Sequence, residues 1–548
     1  MTRKDASLCW PVLLAAVCRL PGLGGEAAAA SRSAEGGLAV PLSQPYFLRL
    51  LANTPELLVA EVGDAGVGVL VQAQTQSRRV TLSQSQAFPR DASYNGTSAG
   101  LWIPLKESAL RASFFIRSEE NVTALVSVVP YREQDPVPGA CNTEFDMEND
   151  PNVHLGFTAH ETVVEFAPAN LGVARNLSPP ACDVGQGTHS RWRLTYDLYQ
   201  YFLSEVDVSE AGVFDGLARM SSVQNVEQYG RKIASLTSFD KTRLLVSPFA
   251  SIGVIYAVVV RDPLRHAASL YVPVSTYSCG LAPPGPCRGQ GPVSSRVFFA
   301  VLGLYGLFVC FAGHRFPVAG LFFLGFLLFC LLSFVLVGRF SGASYDLCLV
   351  SAAVTGGLGG ALFALCGWRL RAPLLLTALA GLVPGFLLAA VIMFTPLVNE
   401  KMLRSDVLFW TCVTAISIVL PAVVLAYPRA LSILSCAWVG SYTAVLMVGS
   451  YLPTSLPYIL LSVIRRAVSP LFSQAIILAP FQSTDGALLA LWAVLAVGGA
   501  ASQHFLTRDE PPFPRGPHPS RGESQGPPAC DERSALLGGA EGRRESCR

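Results

Sequence analysis

The sequence predicts a membrane protein: a β-rich ectodomain of two tandem β-sandwich-like domains, followed by a seven-helix transmembrane bundle. Three observations carry that reading. Seven apolar runs, separated by short polar breaks, lie between residues 297 and 502. Ahead of them, strand-length segments alternate apolar and polar residues, the period of a half-buried strand. The chain of 548 residues is 51% hydrophobic and only 14% charged, whereas soluble domains carry about 25% charged residues. A net charge of +2 leaves no concentrated basic face for nucleic acid.

Taken in order, residues 1–25 read as a signal peptide. Arg3 and Lys4 form a positive n-region, residues 10–17 a short apolar core, and small residues from Gly22 to Ala30 a cleavage region. The first β-sandwich-like domain is placed at 38–145. In it Val69-Leu70-Val71-Gln72-Ala73-Gln74-Thr75-Gln76 sets aliphatic or Thr side chains on one face and mostly Gln on the other; 112–116 and 123–130 read the same way. The second domain is placed at 151–279, with strands expected at 162–166, 192–203, 243–246, 253–260 and 268–274 and one helical insert near 209–231. A Gly- and Pro-rich linker, 280–295, leads to the membrane.

The expected spans are 297–313, 318–338, 347–368, 373–394, 407–427, 430–451 and 486–502. Crossing a hydrocarbon core of roughly 30 Å takes about 20 apolar residues at helical rise, and a backbone in hydrocarbon must satisfy its own polar groups, which requires helices. Residues 452–485 are apolar but interrupted by Pro453, Pro457, Pro470 and Pro480, with Arg465-Arg466 at the centre. An interfacial or re-entrant segment fits; a helical hairpin, giving nine spans, is the alternative. Residues 503–548 form a Pro- and Gly-rich tail of disordered composition.

The leader and three sequons at Asn95, Asn121 and Asn176, none recurring after residue 178, place the N-terminal half outside the cytosol. An odd number of spans then puts the tail in the cytosol. Cys141, Cys182, Cys279 and Cys287 lie in that oxidising half. Four cysteines permit three pairings, of which Cys141–Cys182 with Cys279–Cys287 is favoured. In the tail, Glu532-Arg533-Ser534-Ala535-Leu536-Leu537 has the acidic dileucine form that clathrin adaptors capture, with Glu532, Leu536 and Leu537 as its contacts. It points to a plasma-membrane protein that cycles through endosomes or lysosomes; an incidental match in an unstructured tail is the plainer reading.

Chemistry is sparse. His160-Glu161 opens like a zincin motif but lacks the second His, and there is no nucleophile elbow, phosphate loop or Cys-x-x-Cys. Asp146, Glu148, Asp150 and Asn152 alternate and could offer oxygens to calcium, or form a solvated acidic edge. His314, His504 and Asp346 sit at span ends on different sides, which argues against a shared zinc pocket. No enzyme activity and no cofactor is therefore expected. Gly356-Gly357-Leu358-Gly359-Gly360 and the Gly381 to Gly385 spacing suit close helix packing, or a broken helix lining a transport path. A transporter or channel along the third and fourth spans and an atypical seven-span receptor are the rival functions. The near absence of charge in the spans favours a binding protein.

Several long motifs carry a resemblance. They are Asp135-Pro136-Val137-Pro138-Gly139-Ala140-Cys141-Asn142, Phe166-Ala167-Pro168-Ala169-Asn170-Leu171-Gly172, Ser190-Arg191-Trp192-Arg193-Leu194, Tyr199-Gln200-Tyr201-Phe202-Leu203 and Gly313-His314-Arg315-Phe316. With these the chain, from about Val129 through the last span, resembles the transmembrane 7 superfamily member 3 family. The resemblance implies a non-enzymatic multi-pass glycoprotein that supports cell survival, attenuates endoplasmic-reticulum stress and the unfolded-protein response, inhibits cytokine-induced cell death and promotes insulin secretion in β-cells. Its partners are then the lipid bilayer, a lumenal or extracellular protein ligand, and an adaptor at the tail.

The orientation has a direct check. Glycosidase treatment of the full chain from cells is expected to lower its apparent mass, and replacing Asn95, Asn121 and Asn176 by Gln should abolish the shift. Untreated and treated wild type of equal mass would refute it.

Overall fold

A computed structural model describes residues 37–508, apart from 64–65, 107–108, 158–160, 186, 205–206, 208, 250–251, 278–292, 370–377, 396–404, 425, 453 and 479. The expected leader, most of the linker with Cys279 and Cys287, and the tail with Glu532, Leu536 and Leu537 lie outside the described residues.

The first sandwich faces a five-stranded sheet against a four-stranded one. In spatial order the five are Leu38–Ala39, Glu56–Glu61, Arg111–Ser118, Val80–Ser83 and Ser93–Gly96; the four are Tyr46–Leu50, Val122–Tyr131, Gly68–Gln74 and Ser98–Pro104. Inward positions alternate, as in Arg111–Ser118, where Ala112, Phe114 and Ile116 are buried and join Val69, Val71, Val126 and Val128 in one core. Alternation predicted a half-exposed strand at 69–76. The strand observed, Gly68–Gln74, is instead buried on both faces, because the second domain covers its outer side. There Leu70 meets Tyr131 and Val272, Gln74 Nε2 donates to Pro273 O at 2.8 Å, and Asn152 Nδ2 donates to Gly100 O at 3.1 Å. A Cβ on Gly100 would lie 2.1 Å from Val272 Cγ2, so only glycine permits this approach.

The second sandwich pairs a three-stranded sheet (Val153–Phe157, Thr162–Phe166, Arg243–Val246) with a five-stranded one. The five-stranded sheet runs Arg231–Thr237, Thr195–Phe202, Val254–Asp262, Ala267–Leu270, with Val274–Thr276 also on Val254–Asp262. The segment expected as one strand at 268–274 is thus two, interrupted where Tyr271 and Val272 turn inward to the core and the domain seam. Core tyrosines are hydrogen-bonded, as buried hydroxyls must be: Tyr271 Oη donates to Ala167 O at 2.6 Å, and Tyr196 Oη accepts from Ala169 N at 3.0 Å. Cys141 and Cys182 form a disulfide with Cα atoms 5.7 Å apart. The connection between the domains belongs to both, since Val137 bridges to Asn170 while Met147 packs in the first core.

The helical insert is two helices rather than one: α1, Glu210–Arg219, and α2, Val223–Tyr229. Each has its own serine cap: Ser209 Oγ accepts from Gly212 N and Ser222 Oγ from Asn225 N, which satisfies otherwise orphaned N–H groups. Their apolar faces, with Val213, Phe214, Leu217 and Val226, cover the outer side of the five-stranded sheet at Tyr199, Ile255 and Val259.

The membrane-spanning part contains α3 (Val293–Ala312), α4 (Pro317–Phe340), α5 (Tyr345–Arg369), α6 (Leu382–Phe394), α7 (Asp406–Val424), α8 (Pro428–Gly449), the short α9 (Tyr458–Val468) and α10 (Ser483–Leu506). Among the described residues six helices are long and apolar enough to cross a membrane, and the apolar stretch Ala378–Phe394 is shorter. The first and last spans are longer than the apolar runs suggested, because their polar end residues continue the helix. At the start of α10, Gln482 and Asp485 close a reciprocal capping box.

Helix α8 is the bundle's centre and its most covered span. Its closest neighbour is α3, at a crossing of small residues: a Cβ on Gly306 would lie 1.9 Å from Thr443 Oγ1, and one on Gly440 2.5 Å from Gly306 O. Lipid offers no hydrophobic drive between helices, so close backbone approach must supply the attraction. The Gly356 to Gly360 run serves the same end elsewhere. Helix α5 is continuous through it, with Gly359 against Phe329 and Gly360 against Phe322 of α4, so the broken-helix reading of this run is not realised. A Cβ on Gly385 would lie 2.3 Å from Ser417 O of α7.

A paired substitution tests this packing. Gly306→Leu should lower the melting temperature of the detergent-solubilised chain by an amount equivalent to about 1–3 kcal/mol of overpacking. Gly357→Leu, where nothing lies within 4 Å, should leave it nearly unchanged. Equal melting of both variants would contradict the crossing.

Candidate functional site

The residues that join ectodomain to bundle form an organised polar site that centres on 452–485. Its prolines decide its form. Pro457 precedes α9, and Pro470 opens a 3-10 turn, Pro470–Gln474; a helix of 11 residues between them is too short to cross. The hairpin alternative is not what forms. Helix α9 buries Tyr458, Ile459, Ser462, Val463 and Arg466, spacings that fall on one helical face.

The last turn of α9 and the chain after it dock on the second sandwich. Ser247 N donates to Ile476 O at 3.0 Å and Ile476 N to Leu245 O at 2.8 Å, so the membrane part contributes one bridged residue beside the strand Arg243–Val246. Ile476 and Leu478 join that sandwich's core. Arg465 Nη1 donates to Ser247 Oγ at 3.3 Å and to Pro248 O at 3.2 Å. Ser469 Oγ donates to Glu161 Oε1 at 3.2 Å, and Gln482 Nε2 to Leu203 O at 3.0 Å. Phe249 and Tyr458, with ring centroids 4.7 Å apart, form an apolar plug with Ile252. Burial is the largest influence on the Arg465 guanidinium and draws its pKa below the ordinary value, against the opposing fields of Tyr458 and Glu161.

Arg466 points the other way, into the bundle. Its Nε and Nη2 donate to Asp406 Oδ1 at 2.9 and 2.8 Å, and its guanidinium lies 4.1 Å from the Phe409 ring centroid. The Arg466 side chain is 4% exposed and that of Asp406 52%. Asp406 opens α7, where a carboxylate is favoured by the helix dipole. At the far end of the segment the buried Asp485 accepts from Ser455 N at 2.7 Å. The adjacent arginines thus act in opposite directions, one toward the ectodomain and one toward the bundle.

The sites expected from sequence lie elsewhere. Asn95, Asn121 and Asn176 are all exposed; Asn121 Oδ1 accepts from Ala52 N at 2.9 Å, and Asn176 adopts a φ of 61°, which Asn tolerates. Glu144, Asp146 and Glu148 are exposed, but Asp150 is buried and engaged by Asn152 and, at 2.9 Å, by His154 Nε2. The acidic run therefore does not converge, and among the described residues no group of three or more His, Cys, Asp or Glu could hold a metal. His314 Nδ1 lies 3.1 Å from Ser432 Oγ and Asp346 Oδ1 accepts from Ser294 Oγ at 2.6 Å, while His504 packs on Phe505. Ile476 and Gln482 escaped sequence reasoning, and Glu161 was read there only as part of an incomplete zincin motif. The arginine pair amid prolines was the one signal there.

The architecture defines a multi-pass membrane protein carrying a tandem β-sandwich ectodomain locked to its helices. Family models agree along its length: a TM7SF3-like N-terminal immunoglobulin-like domain matches residues 40–131, a TM7SF3-like second immunoglobulin-like domain 136–282, and a TM7S3/TM198-like domain 299–504. Transmembrane 7 superfamily member 3 of Mus musculus is 39% identical over 499 residues, covering 90% of this chain and 88% of that protein; the Homo sapiens protein is also 39% identical, covering 90% and 87%. The chain belongs to the transmembrane 7 superfamily member 3 family. Among solved structures, a β-glucuronidase of Ruminococcus gnavus (TM-score 0.17, 6% identity, 40% of this chain and 34% of that one) and a β-1,2-glucanase of Parabacteroides distasonis (0.14, 10%, 45% and 31%) are too distant to support any argument.

Asp406→Asn removes the negative charge that faces a buried guanidinium and leaves only a neutral amide oxygen to accept from it. Because Asp406 is half exposed, the full cost of breaking a buried pair is discounted, and a loss of about 1–3 kcal/mol is expected, read as a lower melting temperature. Adding Arg466→Met should recover part of it. No loss in Asp406→Asn would show that the pair contributes nothing.

Proposed function

We propose that this chain is a non-enzymatic multi-pass membrane glycoprotein that receives a protein ligand on its lumenal or extracellular ectodomain and relays that occupancy to the helical bundle. The observation that carries the reading is the backbone pairing of Ile476 with Leu245 and Ser247. It makes the membrane segment a structural part of the second sandwich rather than a tether to it. A displacement of that sandwich must then move α9, and through Arg466 and Asp406 the start of α7.

Family membership supports a pro-survival role: attenuation of endoplasmic-reticulum stress and the unfolded-protein response, inhibition of cytokine-induced death, and insulin secretion in β-cells. In the same reading the N-terminus is extracellular or lumenal and the tail cytosolic. The protein resides in the plasma membrane and is sorted through endosomes or lysosomes by an adaptor engaging Glu532, Leu536 and Leu537.

The test replaces the endogenous copy in β-cells and applies an inhibitor of protein glycosylation. Wild type is expected to lower chaperone induction and cell death. Ile476→Pro, which deletes the N–H that pairs with Leu245, should lose most of that protection at equal cell-surface abundance. Protection by Ile476→Pro equal to wild type would overturn the relay, and no protection by wild type would overturn the survival role.

A further inference from the structure

Asn121, one of the three sequon positions, lies in a groove. Arg49, Leu51, Gln76, Thr123 and Glu210 line it with Asn121, around a volume of about 390 Å³. Asn121 stands just before the strand Val122–Tyr131, beside the chain that leaves Tyr46–Leu50. Its Oδ1 accepts from Ala52 N at 2.9 Å. A backbone N–H can bond only to the amide oxygen, so this contact settles which end of the amide is which. Oδ1 is turned to the chain, and Nδ2, the atom that carries an N-glycan, is the end left over. Glycosylation uses Nδ2 alone and leaves the bond to Ala52 in place. We propose that this groove seats the first sugars of an N-glycan on Asn121, which makes that glycan a structural part of the ectodomain.

Tethering decides the occupant. A sugar attached at the groove is present at an effective concentration in the millimolar range, so weak contacts suffice to hold it. A free ligand would instead lose its translational and rotational freedom on binding. The walls suit a pyranose that carries an acetamido group. Leu51 is 62% exposed, and the C–H face of a ring would remove it from water. Arg49 offers donors, Glu210 acceptors, and Gln76 and Thr123 both, which matches hydroxyls and an amide that donate and accept. The volume falls in the range of about 300–1,000 Å³ that holds small molecules. Asn121 and Glu210 are themselves exposed, so the outer branches leave into solvent. The seat also spans two domains. Glu210 opens α1, in the insert of the second, while the other walls belong to the first; along the same two elements the rings of Phe47 and Phe214 lie 5.7 Å apart. A glycan held there would strengthen that contact.

The inference rests on the reading of the chain as a glycoprotein whose ectodomain lies outside the cytosol, and adds a place for one glycan. The test uses the full chain from mammalian cells, solubilised in detergent without denaturation. Peptide mass spectrometry measures occupancy at each sequon and follows release by peptide N-glycosidase. Asn121 is expected to be occupied. Arg49→Ser combined with Leu51→Ser keeps the sequon but strips the groove. Release from Asn121 should be about tenfold slower in wild type than in that variant, as for a glycan free of its seat a tenth of the time, while release from Asn95 should be the same in both. Thr123→Val removes the sequon yet keeps Asn121 and its bond to Ala52, and should lower the melting temperature by about 2–4 °C. An unoccupied Asn121, equal release from Asn121 in wild type and the double variant, or Thr123→Val melting with wild type would each overturn the seat. Glycans at Asn95 or Asn176 with none at Asn121 would leave the glycoprotein reading standing, whereas bare asparagines at all three would overturn it as well.

Discussion

The pairing of Ile476 with the strand Arg243–Val246 is the constraint on which the junction depends. A bilayer surface gives little reason for a loop to adopt one shape. Two backbone hydrogen bonds to a sheet, with the partly buried Ile476 and Leu478 packed against the sandwich core, supply that reason. With the loop fixed, Arg465 and Arg466 at the end of α9 are placed on opposite sides of the same turn. Each then finds acceptors that a freely moving segment would have exchanged for water. Arg465 loses solvation against Pro248 and Ser247, while Arg466 keeps a carboxylate and an aromatic face.

The bundle beneath is held by a different force. Between α3 and α8 the backbones approach until Thr443 and Gly306 leave no room for a methyl group. Dispersion falls steeply with distance, so the absence of side chains at Gly306 and Gly440 is itself the stabilising feature. Phenylalanines fill the corresponding spaces along α4 and α5. Helix α8, covered on most sides, is therefore poorly placed to meet lipid and well placed to be the frame on which α3 and α10 are set.

Between the sandwiches an apolar patch of Leu70, Tyr131 and Val272 is flanked by directional polar contacts. Gln74, Asn152 and Tyr131 reach across with single hydrogen bonds to backbone carbonyls, and Gln72 is buried without one. The seam is thus held in register by a few directional bonds around the contact of Gly100 with Val272.

Much of this was legible in the residues alone. Local periodicity decides secondary structure when a face is buried, so the strands at 162–166 and 243–246 fell where alternation put them. Hydrocarbon demands helices, so the long spans were visible as apolar runs. The insert expected as one helix is two, because Ser209 and Ser222 each cap their own. What no local pattern contained was the partner of each exposed-looking face. Gln72 and Gln74 alternate like solvent-facing residues yet are buried, because the second domain lies on them. Asp150 reads as part of an acidic edge yet is turned inward to Asn152 and His154. The arginines at 465 and 466 stood out as charges in an apolar stretch, but their acceptors come from residues about 60 and 218 positions away. Composition and period set which segments are strand, helix or membrane span. The joining of ectodomain to bundle was decided by tertiary structure, because it rests on hydrogen bonds between residues that only the folded chain brings within 3.3 Å of one another.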